Sequence, residues 1–495
     1  MSGHVEQKQM RGNHTPLWHF DDDRTLLSRL LRLESRFTWD LKREDMDLEG
    51  LSTQLQEEID LGLGHQEHRV EHSYSFLAYI RYLQDRPKEA ASLLSQSEDK
   101  IRECFGEESE RRLIVTYGDL AWLSYHTGDY TQSDTYCRRV EDILYPTGSS
   151  SVLLPEVYGE KAWTFLKFSV SYHPKAMDCF RKALELQPDD SEWNASYAIA
   201  LYRTEPRDTE TSLEAEESPV VKQLRRASEI NPDDGVLLAL LALKLSFQKH
   251  QEAKSLMEKA LEIGPDNPHV TRYAAIYFRQ QGKVDRAIDL LKRALQSSSQ
   301  SAFIHHQLAL CYKKKKSLRR PNCDQEMQQW RRLAIQHLEE AVRLRSPFIH
   351  ARAKLALLYA EDKDMSRAET LLQEALEMSS ERDKSFLPFV HLCYGQFHQY
   401  HTKQEDQVIT HYTKGLQLTM KTFEGQQCAK ELKQIAERRV STDGGDSEAL
   451  GLLGLVCRAQ GDQRRAVEYY EKALERDPDN DQYLSALCEL RMELQ

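Results

Sequence analysis

The sequence predicts an all-α solenoid of paired helices, and three observations carry that expectation. One punctuation recurs four times: QPDD at Gln187–Asp190, NPDD at Asn231–Asp234, GPDN at Gly264–Asn267 and DPDN at Asp477–Asn480. Before each stands an amphipathic run centred on alanine: FRKALEL, LRRASEI, MEKALEI and YEKALER. From Pro232 to Pro265 is 33 residues.

A beat of about 34 residues is that of the tetratricopeptide repeat, a helix–turn–helix unit that stacks into a superhelix. Each part has a physical task. Proline lacks an N–H and restricts the residue before it, so it ends the second helix of a repeat. The Asp or Asn that follows can cap the next helix by accepting its orphan N–H groups. The central alanine lets the two helices of a pair approach closely. Repeats without the proline keep the rest, as in LAWLSYHTGDYTQSDTYCRRV with Gly128, YAAIYFRQQGKVDRAIDLLKRAL with Gly282 and LGLLGLVCRAQGDQRRAVEYYEKAL with Gly461. Starts fall near residues 73, 113, 160, 194, 236, 270, 303, 350, 387 and 448, which makes nine or ten repeats with the weakest at 387.

Along the chain, residues 1–22 are polar and read as a disordered tail. The segment 23–155 reads as an N-terminal helical repeat subdomain. Its lead-in places Phe37, Trp39 and Leu41 before a helix from about Asp47. Residues 156–302 form a middle repeat subdomain expected to carry the pocket. Residues 303–346 are long linking helices with a basic insertion, and 347–495 are the C-terminal repeats. Three interruptions stand out: the acidic loop Thr204–Pro219, the insertion Lys316–Gln328, and the stretch Glu437–Ser447 with its two glycines.

Composition narrows the function. The chain has 495 residues, 40% hydrophobic and 29% charged. No run of 18 apolar residues exists, so no membrane span is expected. No apolar signal core opens the chain, and nine cysteines without a CxxC pair read as reduced thiols, so a cytoplasmic protein is expected. No metal-ligand spacing, nucleotide-binding glycine loop or nucleophile motif is present, and no enzyme activity is expected.

The formal net charge is −12, yet between His269 and Arg345 stand 16 Lys/Arg against six Asp/Glu. A basic field inside an acidic chain is the footprint of an anionic ligand held at one place. For KKKKSLRRPN itself, a solvated loop is the plain alternative.

First helices of such pairs line the concave face. There the chain carries Trp163 and Lys167 four apart, Ile199 and Arg203 four apart, Arg272 and Arg279 seven apart, and His306 and Gln307 in an apolar run. Cations at these positions would be costly in a closed core. Around a polyanion they make sense, since the guanidinium fork suits phosphate. The rival is a scaffold that binds peptides in an open groove, the commonest use of the fold.

The runs FTWDL, LAWLSYH, AWTFLK, YAIALYR, LALKL, RYAAIYFR, HHQLALCYK and YYEKAL together resemble the interferon-induced proteins with tetratricopeptide repeats, from FTWDL to the C-terminus. The ending YLSALCELR most resembles one particular member. The resemblance implies an antiviral protein of innate immunity that grips the 5′ end of single-stranded RNA in a central basic cavity and keeps it from translation. It implies Lys167, Arg203, Arg272, Tyr273, Arg279, His306 and Gln307 as 5′-phosphate and first-nucleotide contacts. It implies Trp163 and Tyr172 as base- or cap-stacking rings, and Tyr470 and Leu474 as an association motif for homo- or hetero-oligomers. Triphosphate, cap and monophosphate ends all stay open.

Two departures stand out. Gln54 and Glu58 occupy positions where the resemblance implies phosphate contacts, and Glu58 replaces an uncharged residue. A carboxylate there repels phosphate unless a Mg²⁺ bridges the two or a neighbouring arginine pairs with it. Val236 stands where the resemblance implies a pocket tyrosine. No other cofactor is expected.

Overall fold

In the computed structural model, the described residues are 20–46, 48–60, 70–145, 154–205, 218–297, 301–318, 324–345, 348–381, 384–420 and 422–494. Most of the expected tail, the acidic loop and the centre of the basic insertion lie outside them. Among the described residues the regular structure is helical, with no strand. The chain divides after Pro188 into two compact units, Met1–Pro188 and Asp189–Gln495.

Among the described residues there are ten helix pairs, with the single helix Phe423–Thr442 before the last, and each expected start falls on or beside the first helix of a pair. Three lie in the first unit, beginning with Val70–Leu83 and Pro87–Phe105 and closing with Pro155–Phe168 and His173–Leu186. The second unit runs from Ser191–Thr204 through Pro268–Gln280, Ala302–Ser317 and Ile349–Glu361 to Ser447–Ala459 with Gln463–Arg476, and ends on Asp481–Glu493.

The caps work as the sequence anticipates. Asp190 accepts from Trp193 N at 2.8 Å, Asp234 from Val236 N at 2.9 Å, Asn267 from His269 N at 2.9 Å and Asn480 from Tyr483 N at 3.3 Å. The central alanines Ala183, Ala227, Ala260 and Ala473 are essentially inaccessible. Gly128, Gly282 and Gly461 take φ of 85°, 74° and 81° at the turn inside a repeat, the left-handed region that side chains avoid.

Two interruptions differ from expectation. The stretch from Glu437 is helical as far as Thr442, because one 20-residue helix, Phe423–Thr442, precedes the last pair. Arg439 near its end bonds Asp446 at 2.7 Å and Glu448 at 2.7 Å, so side chains anchor the last turn to the next helix start. The insertion at 316–328 is shorter as well, since the helix Asp324–Leu344 begins inside it. The sequence DQEMQQW consists mostly of good helix formers, and Trp330 buries against the core of its unit.

Candidate nucleic-acid interface

In the unit Met1–Pro188, the helix Leu48–Asp60 sets Gln54 and Glu58 one turn apart, and Pro155–Phe168 sets Trp163 and Lys167 likewise. The two helices meet through charge. Lys167 Nζ lies 2.5 Å from Glu58 Oε2, and both side chains are mostly buried. Gln54 Nε2 donates to Glu58 Oε1 at 3.2 Å, and Ser73 Oγ donates to Oε2 at 3.0 Å. Burial pushes the Glu58 carboxyl up, but the Lys167 charge and the three hydrogen bonds outweigh it, so the group lies below its usual range. Glu58 is therefore an anion, and its partner is a lysine rather than an arginine.

Lys167 Nζ also lies 6.0 Å from the centroid of the Trp163 ring. Trp163 is 4% exposed and meets Phe180 edge-on at 5.9 Å. Tyr172 is 5% exposed, stacks on Phe165 at 5.7 Å and donates to Asp40 O at 3.2 Å. Both rings are thus built into the packing of this unit. Beside them is a buried ion cluster with no signal in the sequence pattern: Arg36 bonds Asp119 at 2.5 Å and also Glu160, which pairs with His72.

In the unit Asp189–Gln495, the helix Pro268–Gln280 carries Arg272, Tyr273 and Arg279, and Ala302–Ser317 carries His306 and Gln307. Arg279 Nη1 donates to Gln307 Oε1 at 2.6 Å, and Gln307 is buried. Burial pulls the Arg279 guanidinium below its usual value, opposed by Cys311 beside it. Arg272 lies over the Phe303 ring at 4.0 Å, with its buried Nε unbonded among the described residues. Tyr273 is buried edge-on to Tyr202 at 6.3 Å. The His306 ring packs on Phe348 at 4.9 Å. Burial, with repulsion from His350, Arg279, Lys354 and Arg272, pushes it down to about 3, so it is neutral. Arg203, in the last turn of its helix, is exposed. Val236 is core.

The cationic set reaches beyond the expected residues. His350 and Lys354, one turn apart on Ile349–Glu361, pack on Phe389 at 4.3 and 5.0 Å. Burial and the nearby Lys354 push the Lys313 ammonium down. The i, i+4 spacing in HARAK was the available signal for this pair, and FIHHQ placed Phe303 three residues before His306. Among the described residues, Arg272, Arg279, Lys313 and Lys354 make no ion pair. The KKKK run, expected as loop, is the last turn of Ala302–Ser317, and beyond Lys313 it behaves oppositely: Lys315 pairs with Asp285 and Lys316 with Glu361. His305 meets His337, Nδ1 to Nδ1, at 3.0 Å.

Among the described residues, no group of three or more His, Cys, Asp or Glu could hold a metal ion, and no helix is long and apolar enough to cross a membrane. Tyr470 is buried against Gly454, where an added Cβ would meet its ring at 3.0 Å, and Leu474 is partly buried beside it.

The paired helices define a tetratricopeptide-repeat protein, and family models described as tetratricopeptide repeat match residues 244–296 and 447–480. The chain is 31% identical to the human antiviral innate immune response effector IFIT1, over 92% of this chain and 96% of that protein. It is 30% identical to human interferon-induced protein with tetratricopeptide repeats 2, over 91% and 96%. The solved human IFIT1 dimer with m7Gppp-AAAA superposes with a TM-score of 0.77 at 30% identity, covering 92% of this chain and 100% of that one. The IFIT1 dimer with PPP-AAAA gives 0.75 at the same coverage. The chain belongs to the family of interferon-induced proteins with tetratricopeptide repeats.

Proposed function

We propose that this protein captures the 5′ end of single-stranded RNA through its terminal phosphates, performs no chemistry on it, and withholds it from translation as an antiviral effector in the cytoplasm. One observation carries the reading. Arg272 and Arg279 are drawn into the protein with aromatic and amide partners but, among the described residues, no carboxylate. A desolvated cation left without an acid is expensive, and an anionic ligand that supplies the missing charge removes the cost. The relatives solved with capped and triphosphate RNA support the same end-binding reading. Contacts to phosphate, sugar and stacked base would read end structure rather than sequence.

The test uses one short RNA with a 5′-triphosphate, a cap, a 5′-monophosphate or a 5′-hydroxyl, in fluorescence anisotropy across a salt series. The triphosphate form should bind more tightly than the hydroxyl form, and affinity should fall steeply with salt. Equal affinity for both ends would reduce the cations to a non-specific basic face. The peptide-scaffold reading has one feature in its favour, a groove of about 800 Å³ lined by Lys414, Leu452, Arg458, Tyr483 and Glu489.

A further inference from the structure

We infer that Glu58 is a built-in competitor for the anion that Lys167 would bind, and that it determines how strongly this protein favours highly charged RNA ends. The inference rests on the RNA-end reading and deepens it.

The geometry is that of an occupied anion cradle. Three donors from three helices converge on one carboxylate: the Lys167 ammonium at 2.5 Å, the Ser73 hydroxyl at 3.0 Å and the Gln54 amide at 3.2 Å. An ammonium, a hydroxyl and an amide N–H are also the groups that hold a phosphate oxygen. The side chains of Glu58 and Lys167 are only 17% and 13% exposed, so bulk water screens the pair weakly. The Lys167 charge and the three hydrogen bonds outweigh the burial and keep Glu58 ionised. A phosphate can take Lys167 only by displacing that carboxylate or by lying against it, and both outcomes lower affinity in proportion to the charge of the end. An uncharged 5′-hydroxyl pays no such penalty.

Glu58→Gln keeps the shape and removes the charge. Anisotropy titrations with triphosphate RNA and with 5′-hydroxyl RNA, each with Mg²⁺ and with chelator, should show triphosphate binding at least tenfold tighter than wild type and hydroxyl binding within twofold. Lys167→Ala combined with Glu58→Gln should abolish the gain, because the contested cation is gone. Glu58→Ala should give a gain in the same direction and serves if Glu58→Gln does not fold. If wild type prefers triphosphate and neither Glu58 variant tightens binding, the competitor idea falls and the RNA-end reading stands. Weaker triphosphate binding by the variant, with chelator erasing the difference, would mean a metal bridge and would also overturn it. No end preference in wild type or variant would remove the RNA-end reading itself.

Discussion

Arg279 offers the most incisive single perturbation. Its side chain is half-buried, makes no ion pair among the described residues, and donates at 2.6 Å to the amide oxygen of buried Gln307. Arg279→Met keeps most of the volume and removes the charge. Two terms then oppose each other in the free protein. The orphaned Gln307 oxygen costs about 1–3 kcal/mol. Release of a desolvated cation, whose pKa burial already depresses, returns a stabilisation of similar size. The free protein should therefore change by less than about 1 kcal/mol, and Arg279→Met with Gln307→Leu should equal or exceed wild-type stability, because the orphan is gone too. RNA binding has no such compensation. Loss of a charge-assisted hydrogen bond to phosphate costs about 1.5–3 kcal/mol, roughly 10- to 150-fold in affinity. Arg279→Lys should lose part of that, since it keeps the charge and not the fork. Thermal unfolding and anisotropy with triphosphate RNA at fixed salt read both quantities. A double variant that melts well below wild type, while its folded fraction binds RNA normally, would place Arg279 in the structural core and refute the reasoning.

Two further expectations concern stability. Burial pushes His306 and His411 down to about 3 and His337 and His391 down to about 4. Unfolded histidines take a proton near pH 6.5, so the unfolded state binds more protons between pH 6.5 and about 4, and stability should fall as pH falls through that window. His391 and His411 face each other Nδ1 to Nδ1 at 3.1 Å, and replacing both with Phe should flatten the pH dependence of the melting midpoint; an unchanged slope would count against it. Arg36→Met leaves Asp119 buried without its cation, and Glu160 with His72 alone, and should cost about 3–5 kcal/mol in urea unfolding, whereas a loss under 1 kcal/mol would show Asp119 simply taking up a proton.

What the sequence determined by itself was periodic and local. The Pro–Asp punctuation, the central alanines and the turn glycines each act within a few residues, so the caps at Asp190, Asp234, Asn267 and Asn480 could be read from spacing, and the helix pairs too, to a count of nine or ten. Neighbours on one helix were legible for the same reason: Gln54 with Glu58, and Lys167 beside Trp163. The family likeness added which inward residues matter, and it marked Glu58 as a departure. Only tertiary structure decided what each charge meets. Glu58 and Lys167 are 109 residues apart, Arg36 and Glu160 are 124, and His305 and His337 are 32. The KKKK run looked like the site in composition, yet Lys315 and Lys316 are paired with acids from other helices, while among the described residues Arg272, Arg279 and Lys354 make no ion pair. A charge acts through its distance to other charges and its exposure to water, and stacking of distant repeats determines both.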